Sequence, residues 1–388
     1  MSLLAWISAL LNLIGLAQAA FGWREVRRFA TQPRHKPSER PPVTILKPLH
    51  GDEPLLEDAL ASFCRQDYPT WQVIFGVQSA ADPALAAVRR VQQRCPDCDI
   101  AVVIDPTLHG ANHKVGNLIN MLSEAKYDVL AITDSDLHVA PDYLDRIVTP
   151  LGLPGTGLVC TLYAGLPATR RLPGLFGASH ITHSFLPGAL LARVLGRQDS
   201  LGATMLLRRA TLQRIGGLEA LVDHLADDNA LGRLVREIGL AIRLADTVPL
   251  TTVPETRLID LFRHELRWAR TIRALVPLHF VASALQYPLA WAALTILLSG
   301  GAAWSLLLFA ATWTLRDGIA RRIDRALGVP TDLPIWLLPM RDLMSVAVMI
   351  ASYGGLQVDW RGHELTADGP AQLPPHAAYA EPKGLSPQ

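Results

Sequence analysis

In "DVLAITDSDLHV", residues 128–139, an apolar run ends at Thr133 and is followed at once by two carboxylates, Asp134 and Asp136, separated by one serine. The run has the length and content of a buried strand. Residues i and i+2 of an extended segment point the same way, so a strand continuing through Ser135 brings both acids to one spot. Two anions held that close require a cation. The alternative is a solvated turn, because Asp and Ser favour loop starts.

Outward from this stretch, strand-like and helix-like runs alternate between residues 42 and 272. "VTILKPL" (43–49), "WQVIFGVQ" (71–78) and "IAVVI" (100–104) read as strands, and Glu53–Arg65, Pro83–Gln93 and His113–Glu124 read as the helices between them. This rhythm predicts an α/β domain with a mostly parallel central sheet and ligands at the carboxyl ends of the strands. Asp134 and Asp136 fall at such an end, as do Lys47 and Asp82. Neither GxGxxG nor GxxxxGK[ST] occurs, so no glycine-rich loop cradles a phosphate. A D-x-D pair can hold a nucleotide through a divalent metal instead, since Mg²⁺ is commonly bound by one or two carboxylates plus phosphates.

Two later stretches add chemistry. "HLADDNALGRLVREIG" sets Asp227 and Asp228 at the start of an amphipathic helix, where helix capping is the plain alternative. "LFRHELRWARTIR" places His264, Arg267 and Trp268 at i, i+3 and i+4 on one helical face, with Arg263, Arg267 and Arg270 on an overlapping one. A basic helix lying on a bilayer would look the same.

Composition narrows the class. A net charge of +1 argues against a nucleic-acid partner. The 388 residues are 50% hydrophobic, with the excess at the two ends. Four scattered cysteines are too few for a disulfide scaffold. Cys95-Pro-Asp-Cys98 follows a helical run and has no second pair, so these thiols read as incidental and reduced.

Residues 2–22 carry no charge and are long enough to cross a bilayer, and Arg24, Arg27, Arg28 and Arg34 follow. The positive-inside rule then puts the N-terminus outside and the next segment in the cytoplasm. No Lys or Arg precedes Arg24, which favours an uncleaved anchor over a signal peptide. Ala274 to Leu315 also lacks Asp, Glu, Lys and Arg, with Gly300-Gly301 near its middle and Arg316, Arg321, Arg322 and Arg325 after it. Two spans joined by a glycine turn fit that pattern. Leu333–Gly355, interrupted by Arg341 and Asp342, reads as re-entrant, interfacial or spanning. The expected divisions are an N-terminal transmembrane helix (1–23), a basic linker (24–41), a cytoplasmic catalytic domain (42–272), a C-terminal transmembrane hairpin with interfacial or re-entrant helices (273–365), and a disordered tail (366–388).

In this order, "KPLHGDEP", "VQSAADPAL", "NHKVGNL", "YDVLAITDSDLHVAPDYL" and "ADDNALGR" resemble the ceramide glucosyltransferase branch of the membrane-bound inverting glycosyltransferases with a GT-A fold. Their signature is one Asp, then D-x-D, then a third Asp, then Q-x-x-R-W. The resemblance extends to "VDWRG" at 358–362 and, within the branch, is greatest to bacterial members that transfer N-acetylglucosamine to bacteriohopanetetrol in hopanoid biosynthesis.

By position, the resemblance implies that Asp82 contacts uracil, with Lys47 and Pro48 at the same end of the sheet, and that Asn112, Lys114 and Asn117 lie near the nucleotide. It makes Asp134 face the ribose and diphosphate, Asp136 the holder of Mg²⁺ or Mn²⁺, and Asp228 the catalytic base. Arg267 and Trp268, with His264, secure the diphosphate and acceptor. His264 stands where the wider family often has Gln, whereas Asp136 is present although animal ceramide enzymes lack the second acid.

The implied partners are a UDP-sugar donor, a membrane lipid acceptor and the bilayer of a bacterial inner membrane. A lipid glucosyltransferase using UDP-glucose is the nearest alternative. A processive synthase would need a pore that three or four spans make poorly. A membrane scaffold or transporter subunit would leave the acids as capping and surface groups.

Overall fold

Near-continuous apolar runs form the strands of the central sheet: β1 (Val43–Pro48), β2 (Trp71–Val77), β3 (Asp99–Ile104) and β4 (Val129–Thr133). Such runs suit strands buried on both faces. The computed structural model describes residues 2–33, 37–329, 333–355, 357–360 and 363–366. Nearly all of the tail expected to be disordered therefore lies outside the described residues. The remaining strands are β5 (Leu137–His138), β6 (Thr156–Cys160), β7 (Ala164–Pro167), β8 (Thr204–Arg208), β9 (Ala241–Leu244), β10 (Leu250–Val253) and the pair β11 (Gln357–Trp360) and β12 (His363–Thr366).

The main sheet has the order β3-β2-β1-β4-β8-β6-β9. Its first four strands are parallel, β8 runs antiparallel to β4 and β6, and β9 is parallel to β6. A second sheet, β5-β10-β7, sets Thr251 opposite Leu137 beside the D-x-D segment.

The helices are α1 (Leu3–Ala30), α2 (Leu56–Phe63), α3 (Ala84–Arg94), α4 (His113–Leu122), α5 (Tyr143–Leu151), α6 (Leu172–His180), α7 (Leu186–Val194), α8 (Arg209–Arg214), α9 (Asp227–Glu237), α10 (Leu258–Leu275), α11 (Pro277–Ala282), α12 (Pro288–Leu298), α13 (Ala303–Leu327) and α14 (Leu338–Ala351). Alternate strand residues feed two cores, because successive side chains point to opposite faces. Ile45, Phe75 and Ala131 pack with Leu60 and Phe63 of α2 and Val88 of α3. Leu46, Ile74 and Ile132 pack with Leu118 of α4 and Leu231 of α9.

The apolar helices depart from the expected pair of straight spans. Within Ala274–Leu315 the first arm bends by 72° between Pro277–Gln286 and Pro288–Leu298, so α12 is only 11 residues long. Proline at 288 cannot donate to the preceding turn, which explains the break. By length and composition, two helices among the described residues can cross a membrane, Leu3–Ala30 and Ile335–Gly354, or three if the bent pair is one span. Arg316, read from the sequence as a flanking charge, is buried and donates to the His183 carbonyl at 3.3 Å.

Polar residues of α1 face inward. Asn12 donates to the Pro288 carbonyl at 2.8 Å and accepts from Thr312 Oγ1 at 3.1 Å. Gly15 allows the close approach: a Cβ there would lie 2.2 Å from the Leu285 carbonyl oxygen. Leu3, Leu4, Ile7, Leu10 and Ile14 stay exposed on the other side, as a lipid-facing stripe requires.

A buried ion pair ties α10 to α14. Arg341 meets Glu265 through two hydrogen bonds, 2.9 and 2.7 Å, and also donates to Ser345 Oγ at 2.7 Å. Both side chains are about 5% exposed. Removing one partner of such a pair strands a charge and costs about 3–5 kcal/mol. Arg341→Ala is accordingly expected to lower the thermal unfolding midpoint in detergent, and Arg341→Met with Glu265→Leu to recover most of the loss. An unchanged midpoint for Arg341→Ala would refute the tether.

Candidate active site

β4 ends at Thr133, and Asp134–Asp136 form a turn before β5. The strand does not continue through Ser135, which corrects the extended reading. Yet this turn is not solvated like a surface loop. Ser135 is buried and donates to Glu53 Oε2 at 2.7 Å, and Thr251 of β10 donates to Asp136 Oδ2 at 2.5 Å. Asp134 and Asp136 both line one cavity of about 600 Å³. Burial, and next the charge of Asp134, push the Asp136 carboxyl up to about 7 against the Thr251 bond.

Lys47 lies fully buried beneath the turn rather than in the cavity. Its Nζ donates to the Asp134 carbonyl at 2.7 Å and Thr133 Oγ1 at 3.2 Å, and sits 3.5 Å from the Phe63 ring centroid. Burial lowers its pKa to about 7, with Asp136 and Asp134 opposing. It braces the acidic turn from behind. Pro48, the next residue, does line the cavity.

Asp82 and Asn112, expected near the donor, also hold the local fold. Asp82 Oδ1 accepts from the Gly51 and Ala84 amides, each at 2.9 Å, and Asp82 does not line the cavity. Asn112 caps α4, accepting from the Val115 amide at 3.1 Å and donating to the His224 carbonyl at 2.7 Å. Asn117 does reach the cavity, with Nδ2 donating to the Gly76 carbonyl at 2.8 Å and Oδ1 buried with no hydrogen-bond partner among the described residues.

Lys114 connects the two acidic segments. Its ammonium lies 2.8 Å from Asp134 Oδ1 and 3.5 Å from Asp227 Oδ2. Burial opposes its charge, but Asp134 and Asp227 outweigh burial and raise its pKa above the ordinary lysine value. Asp227 and Asp228 are the first residues of α9, whose N-cap is Ala226, so neither acid is the cap. Burial, and then Asp227, push the Asp228 carboxyl up to about 7, with Lys114 opposing. Gly202 keeps room around it: a Cβ there would lie 3.1 Å from Asp228 Oδ2.

His264, Arg267 and Trp268 line the same cavity from α10, as their spacing predicts. The His264 ring stands edge-on to Trp268, with centroids 4.6 Å apart. Glu53, Thr251 and Glu255 were missed by the sequence reading. Each lies outside the motif stretches or acts through a contact between distant segments, so no local pattern marks it.

The acids suit a divalent cation shared with a diphosphate. Among the described residues no three His, Cys, Asp or Glu side chains form a self-sufficient metal cluster, whereas Mg²⁺ sites often combine one or two carboxylates with substrate phosphates. Asp134 and Asp136 supply that number.

Comparison with known proteins agrees with this architecture. The structure of mannosyltransferase PcManGT from Pyrobaculum calidifontis, in complex with GDP-Man and Mn²⁺, superposes with a TM-score of 0.52 at 20% identity, covering 90% of this chain and 99% of that one. This likeness identifies the fold as GT-A. Ceramide glucosyltransferase 1 of Caenorhabditis elegans is 24% identical over 255 residues, 63% of this chain and 53% of that protein. The ceramide glucosyltransferase of Komagataella phaffii is 31% identical over 159 residues, 39% of this chain and 31% of that protein. The aligned regions thus span about half or less of these relatives' lengths. The family model described as "Glycosyl transferase family 21" matches residues 7–370, nearly the whole chain. With the acidic turn, the α9 carboxylates and the His264–Arg267–Trp268 face gathered in one cavity, the chain belongs to glycosyl transferase family 21.

Proposed function

We propose that the protein is an inverting glycosyltransferase that moves a hexosyl group from a UDP-sugar to a hydroxyl of a membrane lipid. The observation that carries this reading is the cavity itself, which combines Asp134, Asp136 and Asp228 with apolar Phe185, Leu261, Ile272 and Leu275. Charged donor chemistry and an apolar acceptor wall meet in one space.

Asp228 takes the proton from the attacking lipid hydroxyl as its oxygen bonds to the anomeric carbon. The bond from that carbon to the diphosphate breaks, and its electron pair leaves with UDP. Lys114, Arg267 and His264 face the charge that develops there, and fixed charges aimed at developing charge favour the transition state. A divalent cation held by Asp136 and Asp134 would supply further positive charge to the diphosphate. One displacement inverts the anomeric centre, so an α-linked donor yields a β-linked product.

The specific reaction proposed is transfer of N-acetylglucosamine from UDP-N-acetylglucosamine to bacteriohopanetetrol in hopanoid biosynthesis, supported by the ordered motifs from "KPLHGDEP" to "ADDNALGR". The second reading is glucosyl transfer from UDP-glucose to a ceramide-like lipid, favoured by the names of the similar proteins. Mass spectrometry of products formed with both UDP-sugars and both lipids together separates them. A lipid carrying N-acetylhexosamine supports the first reading, a hexosyl lipid the second, and no glycolipid from either donor overturns both.

The location proposed is a bacterial inner membrane with the catalytic domain in the cytoplasm, an orientation supported by the exposed Arg24, Arg27 and Arg28 at the C-terminal end of α1, on the positive-inside rule. A periplasm-active reporter fused after residue 40 is expected to stay dark. A bright signal would reverse the orientation.

A further inference from the structure

The loop between β10 and α10 carries an acid that no motif contains. Glu255 Oε1 lies 2.5 Å from His264 Nδ1, and both residues line the cavity. The Glu255 side chain is only 10% exposed, against 30% for His264, and its Oε2 is buried with no hydrogen-bond partner among the described residues. Burial alone raises a carboxyl, but the hydrogen bond and charge of His264, helped by Arg267, hold the Glu255 carboxyl below its ordinary value. Trp268 closes the other side of the ring.

We infer that Glu255 is a positioning residue, which fixes the His264 imidazole through Nδ1 so that Nε2 is the nitrogen offered to the departing diphosphate. A histidine's working nitrogen is set by what the other nitrogen bonds. With Glu255 on Nδ1, the Nε2 edge of the ring is the one left to meet a diphosphate in the cavity. The same strand aligns both halves of the site, since β10 carries Thr251 against Asp136 and leads into Glu255 against His264.

The inference rests on the glycosyl-transfer reading, because it needs a diphosphate leaving group. The test is a double-mutant cycle in the full-length protein, reading kcat and KM for sugar transfer to lipid together with UDP affinity by calorimetry. Glu255→Gln and His264→Gln are each expected to lower kcat/KM on the order of 10- to 100-fold, the usual effect of losing a partner that orients a histidine. The double variant should be no worse than His264→Gln alone. Losses that multiply, or wild-type kinetics for Glu255→Gln, overturn the inference while leaving the glycosyl-transfer reading intact. Failure of the wild-type chain to bind UDP or make glycolipid overturns both. A purely structural Glu255 would lower the melting temperature equally in either 264 background, and that result also overturns the positioning role.

Discussion

Asp228→Asn is expected to reduce turnover by roughly 10²- to 10⁴-fold, the usual contribution of a general base, while UDP-sugar affinity stays near wild type. Asparagine keeps the volume beside Gly202 but cannot accept the hydroxyl proton. An interaction used in the transition state lowers kcat and leaves donor binding unchanged. The electrostatics also set a pH limb. Because burial and Asp227 hold the Asp228 carboxyl near 7, the base is protonated below that value, and kcat/KM of the free enzyme should fall as pH drops through about 7. Asp227→Asn is the control. Its carboxylate lies 3.5 Å from the Lys114 ammonium, so its loss should weaken donor binding more than turnover. Full activity of Asp228→Asn, or abolition of turnover at unchanged donor affinity by Asp227→Asn, would reverse the assignment within the pair.

Asp136→Ala is expected to abolish the divalent-dependent part of UDP binding. Two carboxylates are all that the acidic turn supplies, and removing one leaves a cation with too few protein partners. Asp136 is also held by Thr251, so Thr251→Val should weaken the same dependence by freeing the carboxylate to rotate. Calorimetric titration of UDP with Mg²⁺ or Mn²⁺, and again with chelator, measures the difference. If wild-type affinity is the same with and without chelator, or if Asp136→Ala keeps the metal response, the metal assignment is wrong.

Much of the central domain was legible because β1, β2 and β4 are buried on both faces and read as apolar runs with turn residues between them. Thr133 shows where this fails. The strand stops there since Asp134 and Asp136 are held by Lys114 and Thr251, partners 20 and 115 residues away in the chain. Local pattern carries no trace of such contacts. The burial of Lys47 beneath the acidic turn was illegible for the same reason, because it depends on the ring of Phe63 and the carbonyl of Asp134. The shared face of His264, Arg267 and Trp268 was legible because i, i+3 and i+4 spacing puts those side chains together on α10, whereas adjacent Asp227 and Asp228 read equally well as helix capping. The bend at Pro288 was not legible, because hydropathy counts apolar length without regard to direction.

The stereochemistry of the first glycolipid formed tests the central claim most directly. With an α-linked UDP-sugar, purified protein in detergent and a polyhydroxylated lipid, the coupling constant of the product's anomeric proton in NMR reports the linkage. A single displacement assisted by Asp228 predicts a β-linked sugar on the lipid. An α-linked product, or release of free sugar with none on the lipid, would contradict it.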